Sequence, residues 1–125
     1  MSSWVKVTKQ DHNHSKYANF RNQCAIAINK SGDVLLMNAA YEKLGKPRHV
    51  EVFEDGKDGN KIAFRPSTSM SDYTVTIGKR DTPKIALRPF VQAHNMIVEG
   101  NAAVYMASIE GGFLVIDLGQ SPIIL

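Results

Sequence analysis

Contact with phosphates needs several lysines or arginines on one face, because each neutralised phosphate releases condensed counterions. The sequence supplies Lys30 in one polar turn, and Lys79 with Arg80 in a second turn of similar setting. Lys16, Arg21, Lys43, Lys46 and Arg48 add to the same sign of charge in the N-terminal half. Residues 1–48 hold eight Lys/Arg against three Asp/Glu, a balance of +5, whereas the formal charge of the whole chain is only +3. Such asymmetry suits a polyanionic partner, and it equally suits a solvated surface that keeps the protein dispersed. Base readout has two candidates, Asn29 and Arg80, of a kind that any loop supplies.

Other chemistries find less material. His12 and His14 lie two apart in a polar stretch without third and fourth ligands at metal-site spacing. The turn Asp55–Asn60 has the acids of a calcium loop but neither its spacing nor its closing glutamate. Cys24 is the single cysteine, so a disulfide framework or cysteine zinc cage is excluded, and its place at the edge of an apolar run fits a small buried thiol. No nucleophile elbow or phosphate-loop motif occurs. The expectation is a protein that is not an enzyme, with no catalytic residues, no metal and no cofactor.

These residues must be held by short elements. Ala25–Ile28 and Val34–Met37 read as strands around the turn 29–33, followed by a helix over Ala39–Leu44 with Asn38 as N-cap. Gly45 suits the left-handed end of that helix, and Pro47 forbids its continuation. His49–Glu54 and Lys61–Arg65 form a hairpin stopped by Pro66. Residues 67–72 read as a linker. The order then returns: strands Tyr73–Ile77 and Lys84–Leu87, a helix over Phe90–Met96 opened by Pro89, and strands Ala102–Ile109 and Phe113–Leu118. Ile26/Val75 and Ile28/Ile77 lie 49 apart, Val34/Ile85 and Leu36/Leu87 lie 51 apart. Val52/Val104, Phe53/Tyr105, Ile62/Leu114 and Phe64/Ile116 lie 52 apart, which together predict an internal repeat. The expected organisation is a polar basic arm over 1–23 and a single barrel domain over 24–125, with repeats at 24–66 and 73–118. A further strand is expected at Trp4–Thr8 in the arm.

The run AIAINKSGDVLLMNAAYEKLG, Ala25 to Gly45, resembles the AbrB/SpoVT-like swapped-hairpin family. Gly32, Val34, Leu36, Leu44 and Gly45 fall at its signature positions, and the hairpin ending in Phe64-Arg65-Pro66 continues it. The resemblance covers 24–66 directly and 73–118 through the repeat. It implies a mainly β fold: a swapped-hairpin-type barrel from two tandem β-α-β-β units with two short helices. Relatives assemble such barrels from two chains and act as transcription regulators and DNA-binding antitoxins. Their basic positions correspond here to Ile26, Ala27, Asp33, Tyr41 and Glu42, none of them basic, and the proline that opens their helix is missing near Met37-Asn38.

Two functions therefore stand side by side. One is an AbrB-like, non-enzymatic regulatory protein contacting DNA through Lys16, Arg21, Lys30, Lys43, Lys46, Arg48, Lys79 and Arg80. The other is a protein- or small-ligand-binding module, of the kind of a phage-type inhibitor or accessory protein, that has lost DNA binding. A chain of 125 residues with 43% hydrophobic and 22% charged residues is of soluble globular composition. It lacks an apolar run of the ~20 residues a membrane helix needs and the apolar core of a signal peptide, so a cytoplasmic address without membrane contact is expected. Two units in one chain predict either a monomeric barrel or a homodimer.

Overall fold

A computed structural model describes residues 18–55, 60–77, 82–96 and 102–125. The expected strand at Trp4–Thr8 lies outside them, as do Lys16, Lys79 and Arg80. A 3-10 turn at Ala18–Phe20 precedes β1 (Ala25–Ile28), β2 (Asp33–Leu36) and α1 (Asn38–Lys43). There follow β3 (His49–Glu54), β4 (Lys61–Ser67), β5 (Tyr73–Thr74), β6 (Thr76–Ile77) and β7 (Pro83–Ala86). Then come α2 (Arg88–Ala93), β8 (Ala103–Glu110), β9 (Phe113–Asp117) and β10 (Ile123–Ile124). The protein is mainly β, and its antiparallel sheet curls into a nearly closed barrel.

Alternation along the strands decides what fills that barrel. Ile26, Ile28, Val34, Leu36, Ile62, Phe64, Ile85, Leu114 and Ile116 point inward and are buried to 1% exposure or less. Ala40 and Leu44 of the α1 turn and Val91 and Met96 of the α2 turn join the same core. A second cluster lies on the other side of β1 and β2. It consists of Ala25, Ala27, Leu35, Met37, Ala102 and Val104, with Phe20 and Leu125 packed against it. Both faces of β1 are therefore covered, which is why it reads as an unbroken apolar run.

The strand order is β5-β3-β4-β9-β8-β1-β2-β7-β6, with β10 added beside β8. Its two ends are neighbours in the chain, separated only by Val75. Tyr73 and Thr74 pair with Val50 and His49, Thr76 and Ile77 pair with Lys84 and Pro83, and the Val75 N–H between them donates to the Arg48 carbonyl at 2.8 Å. One five-residue segment thus joins both margins of the sheet.

The pairing has a twofold pattern. Hairpin β1–β2 has its counterpart in β6–β7, and β3–β4 in β8–β9. The first strand of each half pairs with the third strand of the other, β1 with β8 and β5 with β3. Val34 faces Ile85 and Ala63 faces Val115, residues 51 and 52 apart, across the two seams where like strands meet. Elsewhere the register differs from the sequence spacings. Ile26 faces Tyr105 as Tyr73 faces Val50, which relates the first strands by 47 rather than 49. Val52 faces Phe64 as Ala107 faces Ile116, relating the third strands by 55 rather than 52. An odd shift exchanges faces: Val104, matched by spacing to Val52, belongs to the outer cluster, while Tyr105 faces the core.

Three local expectations change for physical reasons. Asn38 is the first helical residue and makes no capping bond; Met37 holds the extended cap position. Met37 is buried and donates its N–H to the Ala25 carbonyl, which prolongs the strand geometry, and the Ala39 N–H is satisfied by the Arg21 carbonyl instead. Strand β4 runs through Pro66, because pairing with β9 ends at Phe64 and only β3 lies beside the proline. Strand β10 was not expected; between it and β9 the Gln120 amide donates to the Met106 carbonyl and accepts from the Met106 N–H, both at 2.8 Å. The side chain imitates a missing rung.

Replacing Val75 by alanine is expected to destabilise by about 2 kcal/mol through lost core volume. Val75→Pro, which also removes the donor to Arg48, is expected to cost about 1–3 kcal/mol more, read from urea midpoints of the two variants. Burial raises the Tyr105 phenol above its ordinary value of 10.0. The unfolded chain then releases that proton first, so stability is complete below pH about 10 and falls as the pH climbs toward the folded value. Tyr105→Phe is expected to flatten this alkaline slope in urea melts collected from pH 8 to 11.

Candidate nucleic-acid interface

The β1–β2 turn is built around Asn29. Its Oδ1 accepts from the N–H groups of Ser31 at 3.0 Å and Asp33 at 2.9 Å, and its Nδ2 donates to Asp33 Oδ2 at 3.2 Å. The amide offered above for base readout is therefore committed to holding the turn. Lys30 stands exposed at the tip. Gly32 has φ +82°, and a Cβ there would lie 2.8 Å from the Cα of Arg88, so only glycine lets the turn lie against the start of α2. Arg88 donates to the Ser31 carbonyl at 3.4 Å, and Lys84 Nζ lies 3.9 Å from Asp33 Oδ2. Lys30, Lys84 and Arg88 thus gather at one turn, with Lys84 facing its carboxylate.

Lys84 and Arg88 were missing from the sequence candidates, although Arg88 leaves a trace. A cation at a helix N-terminus opposes the helix dipole, and its presence beside Pro89 is explained by the carbonyl it meets on the neighbouring turn.

The other described candidates surround α1. The Arg21 carbonyl accepts from Ala39 at the front of the helix, and Lys43 occupies the last turn, where a cation suits the dipole. Lys43 lies close enough to Cys24 to oppose, in part, the rise that burial imposes on that thiol. Gly45 (φ +91°) and Lys46 (φ 53°) turn the chain away, with the Lys46 N–H on the Tyr41 carbonyl. The Tyr41 hydroxyl donates to the Pro47 carbonyl at 3.2 Å and fixes the approach to Arg48. A cleft of about 390 Å³ separates α1 from the β6–β7 hairpin, lined by Asn38, Tyr41, Glu42 and Lys46 on one side and Ile77 and Pro83 on the other. Lys30 and the α1 group are thus held by different helices, and among the described residues Arg21, Lys43, Lys46 and Arg48 are all exposed.

Charge divides by element. The segment 21–48 together with β7 and α2 carries seven described cations against Asp33 and Glu42. Hairpins β3–β4 and β8–β9 carry Glu51, Glu54, Asp55, Glu110 and Asp117 against Lys61 and Arg65. Arg65 is engaged there already: it pairs with Glu51 and lies 5.1 and 5.3 Å from the ring centres of Phe53 and Phe113, which meet edge to face at 5.4 Å. The Glu54 carboxylate accepts from His94 Nε2 at 2.8 Å, linking β3 to the end of α2. Phosphates would be repelled from these hairpins and attracted to the elements that carry the cations.

Among the described residues no polar or charged residue is buried, and no three His, Cys, Asp or Glu converge as metal ligands. His12 and His14 lie outside the described residues. No described helix is long and apolar enough to cross a membrane. Comparison with known proteins returned no matching family model, no matching curated protein and no matching solved structure.

Two glycine substitutions separate packing from backbone strain. Gly45→Ala meets no atom within 4 Å, so only the left-handed conformation resists it, a loss of about 1 kcal/mol. Gly32→Ala adds a collision with the Arg88 backbone and is expected to lose at least about 1 kcal/mol more, measured as the difference in denaturation midpoint. Equal losses would mean that the turn is not seated against α2.

Proposed function

We propose that this chain is a non-enzymatic regulatory protein of AbrB-like type that contacts nucleic acid in the cytoplasm. In this reading two β-α-β-β units of one chain form a swapped-hairpin barrel, and the cross-pairing of β1 with β8 and β5 with β3 supports that arrangement. The observation that carries the function is the segregation of charge, with Lys30, Lys84 and Arg88 at one turn and Arg21, Lys43, Lys46 and Arg48 around α1. Lys79 and Arg80, outside the described residues, add to the basic charge on sequence grounds.

Ile26 and Ala27 favour a second reading. They occupy positions that are basic in DNA-binding members of the family, and both are fully buried. A contact to phosphates in this chain would come from turns and helix ends alone. If that contact is too thin, the barrel is a module for a protein or small ligand.

Fluorescence anisotropy with a labelled duplex decides between them. Binding is expected to be sequence-tolerant, with a log–log salt slope of about −0.9 for each phosphate neutralised. Changing Lys30, Lys43 and Lys46 together to alanine is expected to reduce that slope by about 2–3, without altering the fold, since all three side chains are exposed. No binding by the intact protein at low salt would discard the nucleic-acid reading.

A further inference from the structure

A cleft of about 610 Å³ opens where the chain leaves α1 and where β4 passes into β5, with Gly45 and Ser67 at its borders. Its apolar lining comes from Pro47, Pro66 and Met70, and its polar lining from Arg48, His49 and Thr68. This is the mixture that small-molecule sites show: an apolar wall with a few polar groups that fix orientation. The other grooves described are smaller, about 300 Å³ among the acidic hairpins and 390 Å³ beside α1.

The charge of the cleft is set by Arg48. No carboxylate pairs with its guanidinium among the described residues. The one carboxylate of the β4–β5 connection, Asp72, accepts the hydroxyl of Ser67, and the same Ser67 oxygen accepts from the Ser69 N–H at 3.0 Å. Ser67 and Asp72 therefore shape the connection and His49 Nδ1 meets the Thr74 hydroxyl at 3.5 Å, which leaves Arg48 and Thr68 to meet a ligand. An anion on a flat guanidinium gains paired, charge-assisted hydrogen bonds, and the apolar wall rewards a hydrophobic body attached to it. Met70, 86% exposed at the mouth, is a flexible side chain that can fold over such a body.

We propose that this cleft binds a small organic anion, a carboxylate or phosphate head on an apolar body, with Arg48 holding the head and Pro47, Pro66 and Met70 the body. Its position gives binding a structural consequence. The Arg48 carbonyl holds Val75, the midpoint of the segment that joins both margins of the sheet, and His49 pairs with Thr74 of that segment. An anion seated between Arg48 and the 66–70 connection spans the two chain stretches that lead into this junction. Occupancy accordingly stabilises the folded barrel by mass action. The inference does not require the nucleic-acid reading, although Arg48 belongs to both surfaces.

The test is a two-dimensional ¹H–¹⁵N NMR titration of the full chain with phenyl phosphate, benzoate and neutral benzyl alcohol. Either anion is expected to move the amides of Gly45, Arg48, His49, Ser67, Thr68 and Met70 saturably, and which anion binds more tightly identifies the head group. Benzyl alcohol is expected to bind about tenfold more weakly or worse, as is phenyl phosphate to Arg48→Met. Met70→Glu, an exposed substitution that leaves Arg48 and the core untouched, is expected to weaken the anions in the same way and keeps the test decisive if Arg48→Met fails to fold. Lys30→Ala, which reduces duplex binding in the preceding reading, leaves anion affinity unchanged. Shifts centred outside the cleft, equal binding of benzyl alcohol, no saturable shifts, or indifference to Met70→Glu would overturn the proposal.

Discussion

The barrel depends on the hydrogen bond from Val75 to Arg48 and on the five residues around it. Tyr73 to Ile77 must satisfy two different strands within a length that an ordinary strand gives to one partner. Two residues pair with β3, two with β7, and Val75 turns its side chain into the core while its N–H reaches the Arg48 carbonyl. Without that bridge β3 and β7 would present open edges, and Val50 and Ile85 would lose a wall of their enclosure. Closure is what removes sheet edges, so by bringing the sheet near to it this short segment limits misassociation as well as completing the core.

How much of this was legible depends on the kind of pattern each element carries. Lys61-Ile62-Ala63-Phe64-Arg65 alternates, and Ile62 and Phe64 face inward as alternation states; Tyr73-Thr74-Val75-Thr76-Ile77 alternates too, but only Val75 is buried while Tyr73 and Ile77 are exposed. The run Ala102-Ala103-Val104-Tyr105 does not alternate, being buried on both faces. Its parity was therefore invisible, and the spacing argument put Val104 where Tyr105 belongs. That one segment can serve two margins of a sheet is also absent from any local pattern. It follows from where β3 and β7 lie in space, and a reading along the chain sees only one strand.

The candidate interface was legible in its charges and obscure in its grouping. Lys30, Lys43, Lys46 and Arg48 stand out as cations in a polar stretch. Nothing in their spacing reveals that Lys30 sits with Arg88, 58 positions later, because the contact is made through a glycine that admits the Arg88 backbone. Asn29 shows the converse. A polar loop residue invites a functional role, but three hydrogen bonds to its own turn consume its amide. Turn chemistry and ligand chemistry use the same residue types, and only the partners tell them apart.

The twofold pattern of the pairing does not extend to the outer surface. Ala27 and Leu35 correspond by register to Thr74 and Ala86, yet the first two are buried and the second two exposed. Phe20 and Leu125, from opposite ends of the described chain, cover the first pair, and the Leu125 N–H anchors to the Ala102 carbonyl. Two identical chains related by an exact twofold would have to treat both outer faces alike. A single chain carrying both halves escapes that constraint, so one face can be spent on stability and the other left to solvent or a partner. The same freedom acts at the helices: one first turn carries Asn38 and the other Arg88, and only the second braces a neighbouring turn through a guanidinium. The pairing repeats while the outer side chains do not, so the basic turn, the α1 cations and the Arg48 cleft lie on surfaces that the internal symmetry alone would have repeated.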